Sequence, residues 1–112
     1  MNWNKLTDEA QLTAILQESA TQPVMIFKHS TTCSISAMAL KRMERNWQDG
    51  AGIKPYYLDL LSNRALSKRV ADAFGVEHQS PQVLLIKNGE VVYDESHYSI
   101  SFDAVAKKVI SQ

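Results

Sequence analysis

The stretch PVMIFKHS, residues 23–30, limits the fold more than any other part of the chain. Val24 to Phe27 is a short, unbroken apolar run behind a proline. That pattern fits a strand covered on both faces rather than one with a wet side. A strand buried in this way needs partners in a sheet and helices on both sides of it. Polarity returns at Lys28, so the strand is expected to end there, with Cys33 just beyond it.

The flanking segments supply those helices and partners. LTDEAQLTAILQES reads as an opening helix capped by Thr7, with Leu12, Ile15 and Leu16 on its inner face. From about Ser34 to Trp47 a helical period returns, carried by Leu40, Met43 and Trp47, and Asp49-Gly50-Ala51-Gly52 then breaks the chain. IKPYYLDL reads as a second strand with its proline near the start. SNRALSKRVADAFG follows as a helix with a Leu66, Val70, Phe74 stripe and Gly75 at its C-terminal end. QVLLIKNGEVVYDE is a hairpin turning at Asn88-Gly89. FDAVAKKVIS closes the chain as a helix capped by Ser101, with Phe102, Val105, Val109 and Ile110 toward the sheet.

The first two strands are expected to be parallel, joined by a crossover helix, and the hairpin adds an antiparallel pair. The expected fold is α/β, a central mixed sheet of about four strands flanked by helices. At 112 residues and with no linker, repeat or low-complexity tract, residues 1–112 are expected to form one domain.

Charge narrows the function. Twelve basic residues balance twelve acidic ones, so no long-range field recruits nucleic acid or anionic lipid. No apolar run is long enough to cross a bilayer. MNWNKLTDEA lacks a basic-then-apolar leader pattern. A cytoplasmic monomer is the expectation. A single cysteine leaves no internal disulfide and, in that compartment, a thiol available for chemistry.

That cysteine, in TTCSIS, falls between a buried strand and a helix. Unpaired backbone N–H groups and the positive end of the helix dipole meet there, which favours thiolate over thiol. Thiolate is the species that attacks a disulfide sulfur. Ser30, Thr31, Thr32, Ser34 and Ser36 surround Cys33 with hydroxyls, whereas a structural cysteine usually sits among aliphatic groups. Ser36 is placed to donate a hydrogen bond to the sulfur. Lys28 and His29 precede the loop and could add positive potential or meet a carboxylate on a partner thiol; as strand-end residues they are equally ordinary solvated groups. The far loop reads GVEHQSP, and Ser80 before Pro81 could present its backbone to an extended partner, with Pro81 either cis or trans. His97 is a secondary candidate from the loop after the hairpin. The spacing of the histidines makes no compact metal motif, so no metal is expected. Asp59 reads as a cap or strand-end charge, and Trp3, Trp47 and Phe74 as packing residues.

VMIFKHSTTCSIS, YYLDL and AFGVEHQSPQVLLIKNGEVV, in that order, resemble the thioredoxin superfamily over nearly the whole chain. The TTCSIS core and the late ESHYSIS segment are most similar to the YtxJ group of monothiol bacilliredoxins, the general stress proteins. The resemblance implies a thioredoxin-like fold and a monothiol disulfide oxidoreductase. Cys33 would be its nucleophile and Ser36 would stand where a resolving cysteine is found. Thr31, Thr32, Lys28, His29, Ser80, Pro81 and His97 would line the partner site. It further implies bacillithiol, a low-molecular-weight thiol, as co-substrate, S-thiolated proteins as clients, and no tightly bound cofactor. CSIS in place of CxxC removes the intramolecular dithiol route, because oxygen cannot close a disulfide. Two other functions stay open: a noncatalytic thioredoxin-like interaction module, and a glutathione-dependent monothiol glutaredoxin or iron–sulfur carrier. SHYS stands where the glycine pair of the glutaredoxins would be, which counts against the last.

Overall fold

The computed structural model describes residues 1–111. Five strands and four helices follow one another along the chain: β1 (Asn4–Lys5), α1 (Ala10–Glu18), β2 (Val24–His29), α2 (Ser34–Asn46), β3 (Lys54–Asp59), α3 (Arg64–Phe74), β4 (Gln82–Lys87), β5 (Glu90–Ser96) and α4 (Phe102–Ser111). Short 3-10 turns at Asp49–Ala51 and His97–Ser99 precede β3 and α4. The strands form one sheet in the order β1-β3-β2-β4-β5. β3 runs parallel to both β1 and β2, and β4 is antiparallel to β2 and to β5. The mixed sheet is therefore as expected, with one strand more than the four foreseen. Asn4–Lys5 is two exposed residues long and carries no apolar alternation; only its pairing with Tyr56 and Tyr57 makes it a strand.

The alternation of β2 sorts the core into two layers. Val24 and Ile26 point to one face, where they meet Leu12 and Ile15 of α1, Leu66 and Val70 of α3, and Leu84 and Ile86 of β4. Met25 and Phe27 point to the other, against Ala39 and Met43 of α2 and Phe102 and Val105 of α4. Both faces are covered, which is why the run carries no polar residue between Val24 and Phe27. Complete burial of each such side chain is worth about 1.5–3 kcal/mol. Among the described residues, no helix is long and apolar enough to cross a membrane.

Several local expectations are corrected. α1 begins at Ala10, and Thr7 does not cap it. Gln11 Oε1 accepts from the N–H groups of Thr7 and Asp8, and Asp8 Oδ1 accepts from Ala10 N–H. Leu16 is 42 % exposed and Ile110 86 % exposed, so neither belongs to the inner face of its helix. β2 does not stop at Lys28: it runs through His29, and both side chains are buried. Other signals match the structure. Gly75 ends α3 in the left-handed region at φ 65°, its N–H on Ala71 O. Asn88 and Gly89 turn the hairpin at φ 52° and 77°. Ser101 Oγ accepts from Ala104 N–H at 3.2 Å at the start of α4.

Candidate active site

β2 and β3 are parallel and end together at His29 and Asp59. Ligands of open α/β sheets bind beyond such carboxyl ends. Four residues past His29, Cys33 is the N-cap of α2, in extended backbone at φ −105°, ψ 121°. Its N–H closes a turn onto Ser30 O at 3.2 Å, and its carbonyl accepts the first helical bond, from Ala37 N–H at 3.0 Å. No side chain caps the helix, so the first amides of α2 have no side-chain acceptor. Negative charge is favoured at such a position. The thiol is half-buried, neither sealed in the core nor fully in solvent. Thr31 and Thr32 are exposed on the approach to it, and Ser30 Oγ and Thr32 Oγ1 lie 3.5 Å apart.

Ser36 is engaged elsewhere than expected. It is buried, accepts from Ser30 N–H at 3.0 Å, and its Oγ lies 2.6 Å from Nδ1 of His29. No hydrogen bond joins Ser36 to the sulfur. Burial holds the His29 pKa below the ordinary histidine value, against the smaller upward pull of Asp59 and Glu44. A neutral ring with Nδ1 as acceptor orders the chain: Ser30 N–H to Ser36 Oγ, Ser36 O–H to His29 Nδ1. His29 is held in turn between Phe27 and Tyr57, with ring centroids 6.4 and 5.6 Å away. The position of the missing second cysteine thus fastens the Cys33 loop to β2. Ser36→Ala leaves Ser30 N–H and His29 Nδ1 without this partner and is expected to cost about 1–3 kcal/mol. Urea unfolding checks the value. In the double variant with His29→Phe the loss should be smaller than the sum of the two single losses.

Lys28 is on the other side of the sheet. Its Nζ donates to Ser67 O of α3 at 3.1 Å and to His78 Nδ1 at 3.2 Å. Direct contact with a partner at Cys33 is therefore not its position, contrary to the strand-end expectation. Among the described residues no carboxylate pairs with it, and burial brings its pKa down to about 8. An unfolded lysine keeps its proton to about pH 10.4. Between the two values the unfolded chain binds more protons, so Lys28 makes stability rise with pH across that window. The shift corresponds to roughly 3 kcal/mol. Tyr56, Tyr57 and Tyr93, whose pKa values are raised chiefly by burial, act in the opposite sense at alkaline pH. The clean measurement is the difference between the wild type and Lys28→Met: unfolding free energy should grow in favour of the wild type from pH 8 to 10.5.

The remaining candidates meet at the far loop. Ser80-Pro81 is cis. Pro81 O accepts from His97 N–H at 3.1 Å, which brings the exposed His97, at φ 59°, to the proline loop. Ser80 Oγ is buried with no hydrogen-bond partner among the described residues. Asp59 turns its carboxylate to Leu61 N–H and Ser62 Oγ, a strand-end cap as expected. One positioning residue was missed: Arg42 of α2 donates to Ile100 O at 3.1 Å and Tyr98 O at 3.4 Å, tying the 97–100 segment to the helix that begins at Cys33. In the sequence Arg42 is one more polar residue of an amphipathic helix. Among the described residues, no group of three or more His, Cys, Asp or Glu side chains gathers to hold a metal ion.

A mixed sheet between two helical layers, with a single thiol at a helix start and a cis-proline loop leading into β4, defines a thioredoxin-fold redox protein of the monothiol kind. Solved structures agree. One described as a candidate oxidoreductase with a thioredoxin fold is 32 % identical at a TM-score of 0.80, over 93 % of this chain and 90 % of that one. Thioredoxin from Malassezia sympodialis is 15 % identical at 0.76, over 96 % of this chain and 90 % of that one. Thioredoxin from Trypanosoma brucei brucei is 12 % identical at 0.76, over 98 % and 89 %. At those identities the two thioredoxins show the fold alone. The family model of monothiol bacilliredoxin BrxC matches residues 4–105, and the chain belongs to that family.

Proposed function

We propose that the protein removes bacillithiol from protein mixed disulfides through Cys33. The Cys33 thiolate attacks the bacillithiol sulfur of the mixed disulfide. A bond forms between Cys33 and bacillithiol, the protein–bacillithiol bond breaks, and the client leaves as a thiolate that takes a proton from water. A second bacillithiol thiolate then attacks the sulfur carried on Cys33. Cys33 is released, and bacillithiol disulfide carries away the oxidation.

The observation that carries this reading is the half-buried Cys33 at the uncapped start of α2, in a chain of the bacilliredoxin family. With serine at position 36, the resetting electrons must come from outside. Ser80, Pro81 and His97 are proposed to form the edge on which the client chain lies, with Thr31 and Thr32 on the approach to the sulfur. The unpartnered Ser80 Oγ supports that assignment, because a buried polar atom without a partner is costly unless something met on binding completes it. The protein is proposed to act as a monomer in a reducing compartment such as the cytoplasm.

Mass spectrometry on a client carrying a bacillithiol mixed disulfide tests the mechanism. Bacillithiol should leave the client and appear on Cys33, faster than glutathione leaves a matched client. Absence of transfer under conditions where a proven bacilliredoxin succeeds refutes it.

A further inference from the structure

A cavity of about 260 Å³ opens between α3 and the loop before Pro81, lined by Leu60, Arg64, Ser67, Lys68 and His78. It lies at the carboxyl edge of the parallel strands, since Leu60 N–H donates to His29 O at 3.0 Å. Three of the five lining side chains are basic and none is acidic. Arg64 and Lys68 sit one helical turn apart on α3, and among the described residues neither forms an ion pair. Behind the wall is a second observation of a different kind: the buried Lys28 ammonium, on the backbone of Ser67 and the ring of His78, with no carboxylate of the described residues paired with it. Two acceptors leave one of its three N–H groups without a partner among the described residues. Buried charges are ordinarily paired. Here the charged side chains that line the cavity, Arg64 and Lys68, carry the same sign as the ammonium behind them, and Leu60 with the stems of Arg64 and Lys68 offers an apolar wall.

We propose that this cavity binds a small organic carboxylate, its head held by Arg64 and Lys68 above Lys28 and its short carbon chain against Leu60. A planar guanidinium matches a carboxylate with two parallel hydrogen bonds. The volume lies at the small end for ligand sites and suits a ligand of few atoms. The assignment stands apart from the reaction at Cys33, because binding needs no thiol.

The test uses the intact protein with succinate as probe, followed by NMR of the His78 ring and the Ser67 amide, with sodium chloride at matched ionic strength as control. Saturable shifts at these two residues are expected with succinate and not with chloride. Arg64→Ala and Lys68→Ala should each weaken binding about ten-fold, while Lys107→Ala on α4 leaves it unchanged. Both lost side chains are exposed, so the variants fold. Equal shifts with chloride, or equal binding by the Arg64→Ala and Lys68→Ala variants, would overturn the site. Saturation by inorganic phosphate but not succinate would overturn its assignment to a carboxylate. A final arm finds the source of the carboxylate. If succinate slows bacillithiol transfer at Cys33, the group arrives on the small thiol. If succinate binds and transfer is unaffected, the ligand is a free carboxylate. Either result supports the site, and binding that persists in Cys33→Ser keeps it separate from any failure of the transfer reaction.

Discussion

Cys33→Ser is expected to reduce the proposed transfer of bacillithiol from a client to the rate of uncatalysed thiol exchange. The serine hydroxyl keeps the volume but cannot form the sulfur–sulfur bond on which both steps of the proposed cycle depend. Folding should be nearly indifferent. Cys33 is half-buried and its side chain caps nothing, so a change within about 0.5 kcal/mol is expected. Mass spectrometry of the client reads the first effect and urea unfolding the second. The pair of measurements separates chemistry from structure. Loss of transfer with unchanged stability places the reaction on this sulfur, whereas full transfer by the variant removes Cys33 from the mechanism. The variant also tests the interaction-module alternative. A module would act equally well with serine, because its docking edge at Ser80 and Pro81 is untouched.

Phe27→Ala gives the largest expected loss of stability. Phe27 is fully buried in the layer beneath α2 and α4 and meets Trp3 edge-on at 5.8 Å. Truncation removes the transfer free energy of the ring and leaves a cavity that a two-sided sheet cannot close, about 3–5 kcal/mol in all. For a domain of this size the midpoint of thermal unfolding should fall by about 10 °C or more. Calorimetry checks it. The ring also flanks His29, the partner of Ser36. A residual folded population should therefore show a less ordered Cys33 loop, visible as faster amide exchange at Ser30. Ser30 exchange unchanged from the wild type would show that the loop is held without this layer.

Much of the fold was legible because local chemistry and tertiary demand agree in it. VMIF fits a strand closed on both sides, and the structure has it as one. Asn88-Gly89 and Gly75 occupy positions where positive φ is required, and few other residues accept them. The misreadings lie where a neighbour distant in sequence decides. Asn4–Lys5 is a strand only because β3 has an open edge. Lys28 and His29 are polar, and polarity at the end of an apolar run normally marks solvent. Here α3 and the proline loop cover Lys28, and Ser36 and Tyr57 enclose His29. Leu16 and Ile110 fit their helical stripes by spacing, but a stripe wider than the layer beneath it leaves its margin exposed.

The candidate site divides in the same way. That Cys33 stands between a covered strand and a helix, with an oxygen three residues later where a second sulfur would be, follows from the sequence alone. The proposed cycle already requires an external thiol on that ground. What Ser36 does with its hydroxyl, and on which face Lys28 falls, follows from tertiary structure. Hydrogen bonds between residues brought together from a strand, a loop and a helix depend on the directions in which side chains leave the backbone. Periodicity assigns a residue to an element and a face. It does not say which polar group from another element will be waiting there, and in this protein that decided whether a lysine met solvent or a histidine, and whether a serine met sulfur or an imidazole.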